Sequence, residues 1–427
     1  MERRRYRGFV RAVTRFDPAI QAQVDAQLME QGAYAALELL INTGRLVYGD
    51  YERWRRGEIE LLDEVLMGAK PKIQAQVEQA AEYASSIGLV EQPQEFHPWT
   101  GSGARDHAKA LRVSSDPHFH QLIAARFAPA QTVPQMDLFL DNPVVALTNG
   151  IVRALAGRHL GDAQRQLDRL YTQAPNHADL AAFDRLTATL ERLNQPVADP
   201  REELRALLDI TPTARRLLGR EARDLLAPLW RQLADALARH AHSDDEPDLH
   251  RSFALSQAQD WAGVAECIRA EPGWQRHAPL CLRLARSGFY RQHRTEALAA
   301  WYHLCWRHPE RARRELDGRE QPDSSIAAAW ARFQDSEDDG PLFEAGSDDR
   351  APDVSDFPAW MLLHEPGLAL YLPADLPSGE TPGEEHYRQV HRWIQARRAN
   401  LHAEELALRK AIQASSPLLF GCLKRTV

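Results

Sequence analysis

The chain has 427 residues, 44% hydrophobic and 26% charged, a balance that supports a substantial core and excludes a natively disordered chain. Its net charge of −8 and pI near 6.1 exclude a protein drawn onto nucleic acid by its overall field. No apolar run approaches the ~20 residues that span a bilayer, so a soluble, cytoplasmic protein with no membrane partner is expected.

Lysine occurs only at Lys70, Lys72, Lys109, Lys410 and Lys424. The remaining basic residues are arginine, a bias that reads as bacterial genome composition and lowers the weight of any single arginine. Cys267, Cys281, Cys305 and Cys422 form no CxxC pair, and the first three sit among Leu, Ile, Ala and Trp. Buried free thiols in a reducing compartment are expected.

Residues 1–90 read as a block of three helices. The basic arm Met1-Glu2-Arg3-Arg4-Arg5-Tyr6-Arg7, continued by Phe9, Arg11 and Arg15, has no apolar signal core behind it. One helix is predicted from Pro18 to Gly44, a second from Asp50 to Met67, and a third from Pro71 to Ile87, closed by Gly88. In the second, Tyr51, Trp54, Glu58, Leu61, Leu62 and Val65 form a stripe at three- and four-residue steps. Its opening turn, Asp50 to Arg56, could be the recognition helix of a helix-turn-helix variant. With the basic arm this makes a nucleic-acid-associated regulator one reading. Against it, Glu52, Glu58, Glu60, Asp63 and Glu64 leave this helix acidic, and Trp54 reads as a core anchor.

Residues 91–141 are a connection rich in Gly, His and Pro, with short helices. It carries His97, His107, His118 and His120 beside Asp106 and Asp116. On a strand, His118 and His120 would face one way and could present two imidazoles to a metal. On a helix they diverge by about 200°. A metal-dependent or other enzyme built on His118, His120 and Asp116 is therefore a second reading, set against plain loop-packing histidines. Thr100-Gly101-Ser102-Gly103, followed by Arg105 and Lys109, could cradle an anion at a helix N-terminus. It lacks a Walker lysine, follows Pro98, and reads as an ordinary N-cap turn.

From 142 to 334 helices follow one another through short turns. Val144 to Pro175 is a helix, a Gly161-Asp162 turn and a second helix; Ala278 to Pro309 has the same outline. Further hairpins are expected around Pro200 to His240 and Leu249 to Pro272, the latter with Trp261, Val264, Ala265 and Ile268 on one face. The two outlined units resemble tetratricopeptide repeats, with their period of about 34 residues. Gly150 or Ile151, Ala163, Leu167 and Pro175 match the family's small, alanine, large apolar and proline positions; Ala285, Ala297, Trp301 and Pro309 match them again. The family's Trp and Tyr of the first helix are replaced by Leu147 and Ala154, then by Cys281 and Gly288.

Residues 335–357 form an acidic linker or loop, whose like charges, Pro and Gly oppose helix formation. It reads as a solvated loop, or as a segment that binds a basic partner or covers the concave face. In the C-terminal helical region, 358–427, Pro358 to Pro377 is apolar, one long helix is predicted from Glu384 to Ala414, and the end is the apolar Leu418-Leu419-Phe420.

No nucleophile elbow, P-loop, kinase or dinucleotide fingerprint is present, so no catalytic residue, metal or cofactor is assigned. The fold class expected is all-α: helical-hairpin repeats in an α-solenoid, flanked by the N-terminal block and the C-terminal region. The function expected is that of a scaffold or adaptor for another protein or peptide. The resemblance implies a concave face built from first helices of successive hairpins, here including Asn149, Arg283, Arg286 and Tyr290.

Overall fold

The computed structural model describes residues 16–99, 110–129, 143–318, 323–335, 353–374, 376 and 381–426. The basic arm, the Thr100–Gly103 turn with Asp106 and His107, and residues 336–352 of the acidic segment lie outside the described residues.

The chain is mostly helical, and its breaks explain where the predicted helices shorten. The helix expected from Pro18 to Gly44 is interrupted. α1 (Pro18–Gln31) is N-capped by Asp17 and ends at Gly32, whose φ of 66° closes it with a Gly32 N–H to Leu28 O bond. After β1 (Tyr34–Ala35) the chain resumes as α2 (Ala36–Asn42). The helix expected from Asp50 to Met67 is also divided, into α3 (Tyr48–Arg55) and a 3-10 turn at Leu62–Val65. Between them Gly57 takes a φ of 79°. α4 (Lys70–Ser86) falls within one residue of its predicted bounds.

Periodicity gave no sign of the small sheet. β2 (Leu89–Pro93) and β3 (Ala125–Pro129), separated by α5 (Pro117–Ile123), pair antiparallel with β1 in the order β1-β3-β2. Tyr34 and Glu91 flank Phe127 in register. Strands of two and five residues are too short to carry an alternation signal. Ile20, Val24, Tyr34, Leu40, Trp54, Val77, Phe119 and Phe127 belong to one buried cluster. The described residues of 91–129 thus share a core with the N-terminal helices.

A second cluster runs from Leu147 to Leu423. It is built by α6 (Pro143–Ala156), α7 (Leu160–Gln173), α8 (Leu180–Glu191), α9 (Pro200–Leu218), α10 (Ala222–Ala236), α11 (Arg251–Gln257) and α12 (Trp261–Ala270). α13 (Ala278–Tyr290), α14 (Arg294–Arg307), α15 (Pro309–Leu316), α16 (Ser324–Asp335) and α17 (Phe357–His364) continue it. α18 (Pro382–Arg398), α19 (His402–Ser415) and α20 (Pro417–Thr426) complete it. From α9 through α15 each helix packs on its sequence neighbour. The helix predicted from Glu384 to Ala414 is broken at Asn400, with φ 55°. The apolar tail is part of the molecule's own core, since Leu419, Cys422 and Leu423 are buried and α20 packs on α17.

Four hairpins turn in the same way. Arg158, Gln259, Gln292 and Asn400 are non-glycine residues with φ between 55° and 60°. Each is followed by a residue whose N–H bonds back five positions: His159 to Ala154, Asp260 to Leu255, His293 to Gly288 and Leu401 to Ala396, at 2.7–2.9 Å. This is the left-handed helix ending that ties off two orphan carbonyls before the chain reverses. Gln259 and Gln292 hold equivalent places in adjacent hairpins, α11/α12 and α13/α14.

Gly288 is the departure from the repeat pattern with the plainest physical reason. A Cβ there would lie 2.9 Å from both the Cα and the Cβ of Ala297 and 2.7 Å from its nitrogen. The glycine therefore allows α13 and α14 to approach closely. Gly288→Ala is expected to cost about 1–3 kcal/mol by overpacking, read as a lower urea midpoint. Gly150→Ala, facing only the flexible Gln166 side chain, is the control expected to stay within about 0.5 kcal/mol of wild type.

Candidate functional site: the seam between the two cores

The N-terminal core docks on the edge of the helical stack that carries the hairpin turns. Ala227 of α10 belongs to the N-terminal cluster. Around it lies a buried charge network, notable because an ionised group is costly to remove from water unless paired.

Glu52 of α3 is 2% exposed and receives Arg158 from the α6/α7 turn at 2.7 Å and Arg231 from α10. Glu38 of α2, 4% exposed, is held by both terminal nitrogens of Arg223 at 3.0 and 3.3 Å. Arg223 also lies 4.5 Å from the Tyr48 ring centroid. The Tyr48 hydroxyl donates to Asp224 Oδ1 at 2.7 Å, and Arg158 Nε donates to the Asp224 carbonyl at 2.8 Å. The α3 face thus meets α10 through paired charges and hydrogen bonds.

Neighbouring carboxylates respond to this setting in opposite ways. Burial pulls the Glu52 pKa upward, but the hydrogen bonds and charges of Arg231 and Arg158 outweigh it and leave the group below its ordinary range. Burial dominates at Asp224, where Arg223 and the Tyr48 hydroxyl offset it only in part, and its pKa is pushed up to about 6.

Several clefts open along the seam, and one of about 450 Å³ is lined by Glu38 and Arg223 of the network itself. Two others lie along the same seam. One, of about 540 Å³, lies between α1, α2 and the α13/α14 hairpin. The small residues Ala19, Ala22, Ala26, Gly288 and Ala297 line it, and Gln23, Gln76, Gln292 and Arg294 stand among its polar lining. Gly44, with φ 68°, lies against the end of α13: a Cβ there would lie 3.0 Å from the Tyr290 carbonyl oxygen. Gln292 donates to the Thr43 carbonyl at 3.3 Å. The second cleft, of about 580 Å³, is lined by Arg55, His97, Trp99, Arg153, His159, Glu221 and Asp224. The Trp99 ring has Arg55 and Arg158 guanidinium carbons 4.8 and 4.9 Å from its centroid.

The residues singled out in the sequence are placed as follows. Asn149 is exposed on α6. Arg283 is committed within the chain: its side chain, 11% exposed, bonds Asp248 at 2.6 Å and the Pro247 carbonyl at 2.8 Å. Arg286 is exposed and lies 3.4 Å from Glu315. The Tyr290 ring stacks on Trp261 at 4.4 Å. None of the four lines either cleft.

His118 and His120 lie on α5, where they diverge: His118 Nε2 is 3.5 Å from Glu78, while His120 Nδ1 accepts from the Val113 N–H at 3.1 Å. Asp116 caps the same helix, accepting from the His118 N–H at 3.0 Å. Among the described histidines of the connection, His97 lines the second cleft and His118 and His120 line neither. Trp54 is fully buried, as its anchor reading required. Arg53 and Arg56, from the segment read as a recognition helix, pair with Asp50 and Glu58 on the surface.

Sequence reasoning counted Glu52 only among the acids of its helix, whereas the fold buries it. It lies about 100° round the helix from Tyr51 and off the stripe, so periodicity carried no signal. Its partners Arg158 and Arg231 are more than a hundred residues away and had no local signature. Comparison of the chain with protein-family models, with curated proteins and with solved structures finds no match.

Proposed function

We propose that this protein is a scaffold or adaptor that holds another protein or peptide on a stack of tetratricopeptide-like helical hairpins. The observation that carries the reading is the common turn at Arg158, Gln259, Gln292 and Asn400. A repeated closure gives successive hairpins the same polarity, and stacked hairpins of one polarity present an extended surface. The 34-residue resemblance and the sequence-neighbour packing from α9 through α15 agree with it.

The cleft between α1 and the α13/α14 hairpin suits an extended peptide. Its alanine and glycine lining leaves room for a backbone, and amide side chains offer both a donor and an acceptor to it. Of the residues assigned to a concave face, Asn149 and Arg286 are exposed, Tyr290 is braced by Trp261, and Arg283 contributes by fixing α13 to the preceding turn. The function needs no cofactor, and cytoplasmic location remains part of the proposal; no described helix is long and apolar enough to cross a membrane.

The test is affinity purification of the tagged chain from its own host, in three forms. Ala22→Glu fills the cleft with a charge, and Arg286→Glu with Asn149→Ala changes the outer face. One dominant protein partner, lost from one variant and retained by the other, supports the reading and locates the surface. Equal recovery of every protein by all three forms, or retention of nucleic acid alone, overturns it.

A further inference from the structure

The polar segment between α10 and α11 contains His240-Ala-His242-Ser-Asp244 and ends at His250, the N-cap of α11. The fold returns it to His277, the N-cap of α13, across the whole α11/α12 hairpin. Asp244 Oδ1 stands 3.1 Å from His242 Nε2 and 3.0 Å from His277 Nδ1. The two imidazole centroids are 4.5 Å apart, and one ligating atom from each of the three residues lies within 4.8 Å of the others. Among the described residues this is the grouping of His, Cys, Asp and Glu with that compactness.

The three side chains sit at graded depth. The His242 side chain is fully buried, and its Nδ1 has no hydrogen-bond partner. His277 is 26% exposed and Asp244 73% exposed, so one side of the cluster opens to water. Glu271 fixes the backbone behind it, accepting from the His242 N–H at 3.2 Å and lying 3.6 Å from His250 Nε2.

We propose that His242, Asp244 and His277 bind one divalent ion of the Zn²⁺ class, with water completing the coordination on the Asp244 side. Bonds of about 2.0–2.2 Å to a tetrahedral ion place ligating atoms roughly 3.3 Å apart. The Asp244 oxygen already stands near that distance from both nitrogens. Two imidazoles and one carboxylate select zinc and its transition-metal neighbours over Mg²⁺ or Ca²⁺, which take oxygen ligands. Because the ligands come from either side of the α11/α12 hairpin, the ion ties one hairpin of the stack to the next. The site lies apart from both clefts and does not depend on the scaffold reading.

The experiment uses the full chain, stripped of metal with a chelator and titrated with Zn²⁺ and with Co²⁺. Expected are one tight equivalent, a rise in the thermal midpoint on Zn²⁺ addition, and a visible Co²⁺ absorption band of tetrahedral type. Asp244→Ala and His277→Ala are expected to weaken binding by at least about a hundredfold, more than the loss of an outer hydrogen-bond partner costs, and to abolish the band. Asp244 is exposed, so its variant tests the ligand without disturbing the core; circular dichroism of the metal-free forms checks this. His118→Ala, on the surface of α5, is expected to bind as wild type. Absence of a tight equivalent in wild type, or equal uptake by Asp244→Ala and His277→Ala, overturns the site.

Discussion

Replacing Glu52 by alanine is expected to lower the unfolding free energy by about 3 kcal/mol, the lower end of the cost of breaking a buried ion pair. Two arginines converge on this carboxylate from separate elements, and its removal leaves both near the seam without a counter-charge. Their side chains are 22% and 31% exposed, so water recovers part of the loss. Glu52→Gln keeps an acceptor and is expected to lose less. The measurement is urea unfolding followed by a probe in each core. Separate transitions in Glu52→Ala, against a single one in wild type, would show that the network couples the N-terminal core to the hairpins. A change below about 0.5 kcal/mol, typical of an exposed site, would mean that the seam is solvated and that the network is no latch.

Asp224→Asn is expected to act in the opposite direction and to depend on pH. The folded protein holds a proton on Asp224 more tightly than the unfolded chain does, because its pKa rises from 3.8 to about 6 on burial. Between those values the native state binds more protons, so stability falls as pH rises through the window. Above it, the ionised group opposes folding by up to about 3 kcal/mol, at roughly 1.4 kcal/mol per pKa unit. Asparagine retains an oxygen for the Tyr48 hydroxyl and carries no charge. The variant is therefore expected to exceed wild type in stability at pH 8 and to lose that advantage as pH falls toward 4. Glu52 has the reverse sign. Its lowered pKa stabilises the fold above the ordinary carboxylate range, and that contribution disappears in acid below it. A pH-independent difference between Asp224→Asn and wild type would refute this assignment.

The parts of the fold legible beforehand are those set by local pattern. α4 needed only Pro71 at its start and Gly88 past its end, and the hairpins at 143–173 and 278–307 lie within two residues of the outlines drawn from turn residues and apolar spacing. Trp54 was readable as an anchor because a large aromatic side chain sits in an apolar stripe. Boundaries at Gly32 and Asn400 were missed for a different reason. Both lie in sequence that favours helix on either side, and the packing of the following segment decides that the chain turns there; at Asn400 that turn also carries the strain of a left-handed non-glycine residue. At Arg158, Gln259 and Gln292 the residue type gives no hint of positive φ at all.

The candidate sites divide along the same line. The histidines of 97–120 drew attention because they are close in sequence, yet α5 turns His118 and His120 apart. His242 and His277 lie on either side of a whole hairpin, and the fold puts them against one carboxylate. Sequence alone determined a mostly helical chain with hairpin-length units and no familiar catalytic fingerprint, because these follow from composition and from spacings of a few residues. Tertiary structure decided which charges are buried, which glycine lets two helices touch, and which distant side chains meet, because those depend on contacts between segments that no local pattern encodes.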